Sequence, residues 1–259
     1  MKKQLLPALA ILAGLTFNAA LAMPISDKGQ PFQQIQVSHF SGISVTGGVN
    51  LILNYHPDQN SSVQKIGPGA RGVHILVEQG TLRIKAPDGQ WRSHLPQVII
   101  SLSKPLTSLT VKGIADVTGN ALRSNQLSIS AKGPGHIALS GQLNTRQIWQ
   151  TGGGYLSLQG VRANDLTVKL SELATTRLQG TADLLTARLT NSSTLQAEKL
   201  KTKTIFVQTA HHAVARVFPI NNLRAFARGQ SEIFYYHSPK HITEDAQQSG
   251  NILQMGWRH

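Results

Sequence analysis

The chain has 259 residues, no cysteine, and 25 Lys and Arg against 12 Asp and Glu, for a formal charge of +13. The absence of cysteine excludes disulfides, cysteine metal sites and a lipid anchor on an N-terminal cysteine, so core packing must hold the fold. So large a cation excess favours anionic partners such as nucleic acid, lipopolysaccharide, acidic glycans or an anionic membrane face; the alternative is a basic surface that is merely solvated.

Met1-Lys2-Lys3, the apolar run from Leu5 to Leu15 and the small-residue site Ala20-Leu21-Ala22 predict a secretory signal peptide over 1–22. The apolar run is shorter than the roughly 20 residues of a spanning helix, which argues against a membrane anchor. The expected address is the bacterial periplasm, the medium or the cell surface. Removing Lys2 and Lys3 leaves 23 basic and 12 acidic residues, a charge of +11, on 237 residues. Residues 23–31 carry Pro24, Gly29 and Pro31 and are expected to form a flexible lead-in.

One domain is expected over 32–253, with N-terminal strands in 32–105. There the apolar residues alternate with period two: Ile35 and Val37, Ile43 and Val45, then Val49, Leu51 and Leu53. Gly47-Gly48, the Pro57 to Ser62 cluster and Gly67-Pro68-Gly69 predict turns. Val73, Ile75 and Val77 join Leu82 and Ile84 through Gln79-Gly80 as a hairpin, and Pro87-Asp88-Gly89 closes it before Val98, Ile100 and Leu102. Helix should be minor, since even Asp183 to Leu189 reads better as a strand.

From 106 to 240 an apolar strand start recurs at Leu109, Leu127, Ile148, Leu166, Leu185, Ile205 and Leu223, at intervals of 18, 21, 18, 19, 20 and 18 residues. A fixed period near twenty is the mark of stacked units, none of which can bury its apolar face alone. Gly119, Gly141, Gly160 and Gly180 fall at the close of successive units, where glycine permits positive φ at a tight corner. The fold class predicted is all-β: a parallel β-helix or β-solenoid of about seven turns with additional N-terminal strands. An antiparallel β-sandwich is the alternative.

The chain also resembles a known bacterial family. The resemblance lies in Phe32-Gln-Gln-Ile35-Gln-Val37 with Gly47-Gly48-Val49-Asn50-Leu51, the Leu82-Arg-Ile84 strand, and the entry Leu106-Thr-Ser-Leu109-Thr-Val111-Lys-Gly113. Tyr235-Tyr236-His237-Ser238-Pro239-Lys240 leading to Ser249-Gly250-Asn251-Ile252 completes it. The family is that of exported β-repeat proteins called putative auto-transporter adhesin head GIN domain. It implies a β-rich repeat fold and brings no catalytic residues. This chain departs from the pattern at His237, which replaces a turn glycine, and at Glu172 and Asn191-Ser192, where Ser-Gly corners are lost.

Enzymes on parallel β-helices need converging carboxylates or a calcium site. Acids are scarce within the repeats: Asp116, Asp165, Glu172, Asp183, Glu198 and Glu232. Asp165 and Asp183 fall near one corner of adjacent turns, as a carboxylate pair or as ordinary polar turn residues. His211-His212 point to opposite faces of a strand, and His237 and His241 flank Pro239 with no third ligand, so neither pair predicts a metal site. Gly152-Gly153-Gly154 lacks the residues of a phosphate loop. No catalytic residue, cofactor or metal is expected.

The outward positions of the opening strands carry the remaining signal. The repeat alignment places Trp149, Phe206 and Arg224 in one column, and Lys112, Lys169, Arg188 and Phe226 in the next. The aromatics suit stacking on sugar rings or burial against a partner, and the cations suit phosphate or carboxylate. Either this face is open or the N-terminal strands cover it. The function expected is an exported, non-enzymatic binding or adhesion module. Its partner would be an anionic polysaccharide, lipopolysaccharide or a surface protein. A polysaccharide lyase or hydrolase and an electrostatic binder of nucleic acid or lipopolysaccharide are the alternatives.

Overall fold

Every long strand of this protein bends, because its apolar residues face a common interior from more than one wall. The structure, a computed structural model, describes residues 32–87 and 95–256. The expected signal peptide, the lead-in and all of the Pro87-Asp88-Gly89 turn beyond its proline lie outside them. Six strands of 15 to 17 residues form the body: β9 (Asp116–Lys132), β10 (His136–Thr151), β11 (Tyr155–Ser171), β12 (Thr175–Leu189), β13 (Thr194–Ala210) and β14 (Val214–Arg228). Each pairs in parallel with the next. The first half of each lies on a rear wall, a corner follows, and the second half lies on a front wall. With β8 (Leu106–Lys112), their second halves stack as seven front rungs over 106–240, the number of turns predicted. Parallel pairing throughout the body excludes the antiparallel sandwich.

The N-terminal strands belong to the same stack. Strands β2 (Gly42–Thr46) and β3 (Asn50–Tyr55) form one rung, and β6 (Thr81–Lys85) and β7 (Gln97–Leu102) form another. In space, the earlier rung is inserted between later ones: β2 pairs in parallel with both β6 and β8, and β3 with both β7 and β9. Antiparallel strands close this end. Strand β5 (His74–Glu78) returns on β6 through the predicted Gln79-Gly80 turn, where φ is 48° and 71°. Strand β4 (Ser62–Ile66) pairs with β7, and β1 (Phe32–Gln36) with β4. The other end finishes with β15 (Glu232–Tyr235), β16 (His241–Gln247) and β17 (Asn251–Gln254). Tyr235 faces the interior there; burial, then the Glu244 carboxylate that accepts its hydroxyl hydrogen bond, pushes its phenol above the usual range.

The interior is a set of apolar columns. Leu166, Leu185, Ile205 and Leu223 stack in register, as do Ile129, Ile148, Val168, Ala187, Val207 and Ala225, and all are buried. Gln150 is one of the polar side chains buried among them. Its side-chain amide donates to the Gly154 carbonyl at 2.7 Å and accepts from the Thr176 hydroxyl at 2.6 Å. Replacing Thr176 by valine keeps the shape and strands the Gln150 oxygen; unfolding in urea should show a loss of about 2 kcal/mol.

One corner expectation needs correction. Gly141, Gly160 and Gly180 have positive φ as predicted, but Gly119 does not share their corner. It lies inside β9, where a Cβ would meet the Leu122 side chain at 2.6 Å, and Ala121 takes the positive φ. At the opposite corner Glu172, Asn191 and His211 adopt φ of 62°, 60° and 65° in place of glycine, so the lost Ser-Gly corners keep their turn.

Candidate functional site on the front wall

Side chains that alternate outward from the front wall form three parallel columns. The observed register differs from the sequence alignment by two residues at Leu109 and Ile148, which pair with Ile129 rather than Leu127. An even shift leaves inside and outside unchanged but moves side chains between columns. Trp149 therefore sits beside Lys169, not beside Thr167, and its column continues through Arg188, Gln208 and Phe226 to Asp245. Lys112 belongs to the next column, level with Lys132 and Thr151. Phe206 and Arg224 share the third column, adjacent to one another.

The regrouping creates contacts that the alignment could not show. The Lys169 ammonium lies 5.3 Å from the Trp149 ring centroid, and the Arg224 guanidinium 5.3 Å from that of Phe206. Such pairs contribute about 0.5–1 kcal/mol at exposed sites. The N-terminal strands extend the stack instead of covering this wall, so Trp149 is 48% exposed and Phe226 36%.

Two grooves run along these columns. One, of about 420 Å³, is lined by Lys112, Lys132, Trp149 and Lys169 among others; the second, of about 350 Å³, by Phe226, Arg228 and Asp245. Arg188 and Thr190 line both, so the two adjoin. Their linings hold five cations, Lys112, Lys132, Lys169, Arg188 and Arg228, and one carboxylate, Asp245. Among the described residues none of these cations has an ion-pair partner. Of the seven side chains singled out in the sequence, five meet in the joined groove, while Phe206 and Arg224 line a separate recess. Sequence reasoning missed Lys132, Arg228 and Asp245 as members of the site.

Residues 39–239 match the family described as "Putative auto-transporter adhesin, head GIN domain". The chain belongs to that family. Solved structures with the head GIN chain's fold include a putative adhesin from Bacteroides fragilis NCTC 9343, at 17% identity and a TM-score of 0.66, covering 88% of this chain and 98% of that one. A putative lipid binding protein from Parabacteroides distasonis ATCC 8503 aligns at 16% identity and a TM-score of 0.73, covering 87% and 96%. A putative adhesin from Parabacteroides merdae ATCC 43184 aligns at 12% identity and a TM-score of 0.72, with the same coverage. No curated protein matches the sequence.

The other chemistry weighed in the sequence takes a structural form in this head GIN domain. Asp165 stands level with Leu184 rather than Asp183, and Asp183 pairs with Lys203 at 2.8 Å, on the next rung. His237 packs on Phe218 with centroids 5.2 Å apart, and His211 occupies a corner. Among the described residues no group of three His, Cys, Asp or Glu side chains comes together that would hold a metal ion, and no helix is long and apolar enough to cross a membrane.

Proposed function

We propose that this head GIN domain is an exported, non-enzymatic binding module whose front-wall groove holds an anionic envelope or host polymer, an acidic polysaccharide by class. The observation that carries this reading is the pairing, along two adjoining grooves, of two exposed aromatic rings with cations that have no carboxylate partner among the described residues. Aromatic faces stack on the apolar faces of sugar rings, and Lys and Arg meet carboxylate, sulfate or phosphate groups. The adhesin description of the family agrees with a binding role. The groove offers one carboxylate where glycan hydrolysis uses two, which counts against a lyase or hydrolase.

Titration calorimetry of the purified protein against acidic and neutral polysaccharides tests this. Affinity for the acidic chains should fall steeply between about 50 and 200 mM salt, as counterion release requires of several contacts made by cations. Equal affinity for neutral chains, or indifference to salt, removes the groove reading. Shortening of any chain during incubation overturns the non-enzymatic one. Lipopolysaccharide and duplex DNA in the same panel reveal whether charge alone suffices; binding of all polyanions with equal strength would favour a general electrostatic binder.

A further inference from the structure

The groove is not symmetric from end to end. Along its length Lys112, Lys132, Trp149, Lys169 and Arg188 occupy five consecutive front rungs, β8 to β12. At a rung spacing of about 4.8 Å they span roughly 19 Å. Beyond Arg188 the column of Trp149, Lys169 and Arg188 turns neutral at Gln208 and Phe226, and ends at Asp245 on β16. The last cation near that end, Arg228, is directed elsewhere: its guanidinium donates to the Gln247 side chain at 3.3 Å, and Gln247 donates to the Asp245 carboxylate at 3.1 Å. These bonds hold the carboxylate beside Phe226, which it faces across the β14–β16 ladder. The opposite end of the groove has no such closure; Lys112 is followed in its column by Thr46 and then Lys85.

From this polarity we infer that the groove holds a linear anionic glycan lengthwise, parallel to the solenoid axis and in one register, with Asp245 as a like-charge stop at the C-terminal end. The inference rests on the groove reading above and adds a direction and an end to it. A short oligomer lying on Lys112 to Arg188 remains about 14 Å, three rungs, from Asp245. That exceeds the Debye length of about 8 Å at physiological ionic strength, so a short ligand is indifferent to the carboxylate. A longer chain that runs past Phe226 brings its own anions against Asp245 and is repelled. The polymer is therefore held with one end near Phe226, while its remainder leaves over Lys112 towards the N-terminal cap.

The test uses oligouronates of increasing length, titrated at about 0.15 M salt into the wild-type chain, Asp245→Asn and Asp245→Lys. Asparagine keeps the oxygen that accepts from Gln247, so the fold is preserved. For oligomers too short to reach Phe226 all three proteins should bind alike. For longer ones Asp245→Asn should bind about threefold more tightly, the size of one screened surface charge interaction, and Asp245→Lys about tenfold. Equal gains at every length, or none at any length, overturn the stop while leaving the groove standing. If no oligomer binds the wild-type chain, the groove reading falls and the stop falls with it.

Discussion

Replacing Gly160 by alanine should destabilise the fold by about 3 kcal/mol or more, the range of strained-backbone and overpacking substitutions. A Cβ at this position would lie 2.0 Å from the Gly141 carbonyl oxygen on the rung below, and φ is +81°. The opposing carbonyl is backbone held in the parallel ladder, so it cannot turn aside as a flexible side chain would. Relief requires the β10 and β11 rungs to separate at this corner, and buried Val161 and Leu143 to separate with them. Gly153→Ala is the matched control, because nothing lies within 4 Å of its Cβ site and its φ is not positive; its effect should stay within about 0.5 kcal/mol. Urea unfolding of both variants reads the difference as a shift in midpoint. Coincident curves for Gly160→Ala and wild type would mean that the rungs are not packed at this corner as described.

Reversing two charges, Lys169→Glu with Arg188→Glu, should weaken binding to an acidic polysaccharide more than about a hundredfold at physiological salt while leaving the fold intact. The two side chains face each other on adjacent rungs, and neither has a carboxylate partner among the described residues. Removing them breaks no ion pair; the fold gives up the Lys169–Trp149 cation–π pair, about 0.5–1 kcal/mol at an exposed site. In the binding assay the change is far larger, because each reversal both deletes an attraction and adds a repulsion in the middle of the groove. The circular dichroism spectrum should match wild type, the melting temperature should fall by no more than about 4 °C, and the salt dependence should flatten. The milder pair Lys169→Gln with Arg188→Gln provides the same test without new repulsion, at about tenfold. Unchanged affinity in both double variants would place the ligand elsewhere on the molecule.

The architecture is legible in the sequence because stacking repeats the same residue pattern once per turn. Leu166, Leu185, Ile205 and Leu223 align in the sequence and in space. The register is less legible in the first turns. An interval of 21 residues between two of 18 is the warning, and it arises from setting Leu127 level with Ile148. Pairing Leu109, Ile129, Ile148 and Val168 instead gives intervals of 20, 19 and 20, in step with the corner glycines Gly113, Gly133 and Gly152. Those glycines lie against one another from rung to rung. They mark level better than apolar residues, which recur every second position and so admit a two-residue slip.

The site follows the same limit. Trp149 and Lys169 are recognisable as outward, since parity survives the slip, but their contact across rungs depends on register. Asp245 is beyond reach for another reason: β16 is exposed along its whole length, and so carries no alternating pattern from which to place it. Strand β4 escapes as well, because its SVQKI sequence offers only two apolar residues and they do not alternate.

The inserted rung of β2 and β3 bears on how the chain folds. In the repeats each rung pairs with residues about twenty positions away, as Leu185 does with Ile205. Gly42 and Asn50 pair with Ser108 and Asp116, 66 positions away. The body can therefore zip up turn by turn from local encounters, whereas the N-terminal third must close long loops first, the slow kind of step. Residues 42–55 complete their pairing only after both neighbours, β6–β7 and β8–β9, have emerged. Assembly then runs against the order of synthesis at this end, and the late-closing rung leaves the edge of β8 open to foreign strands for as long as it is missing.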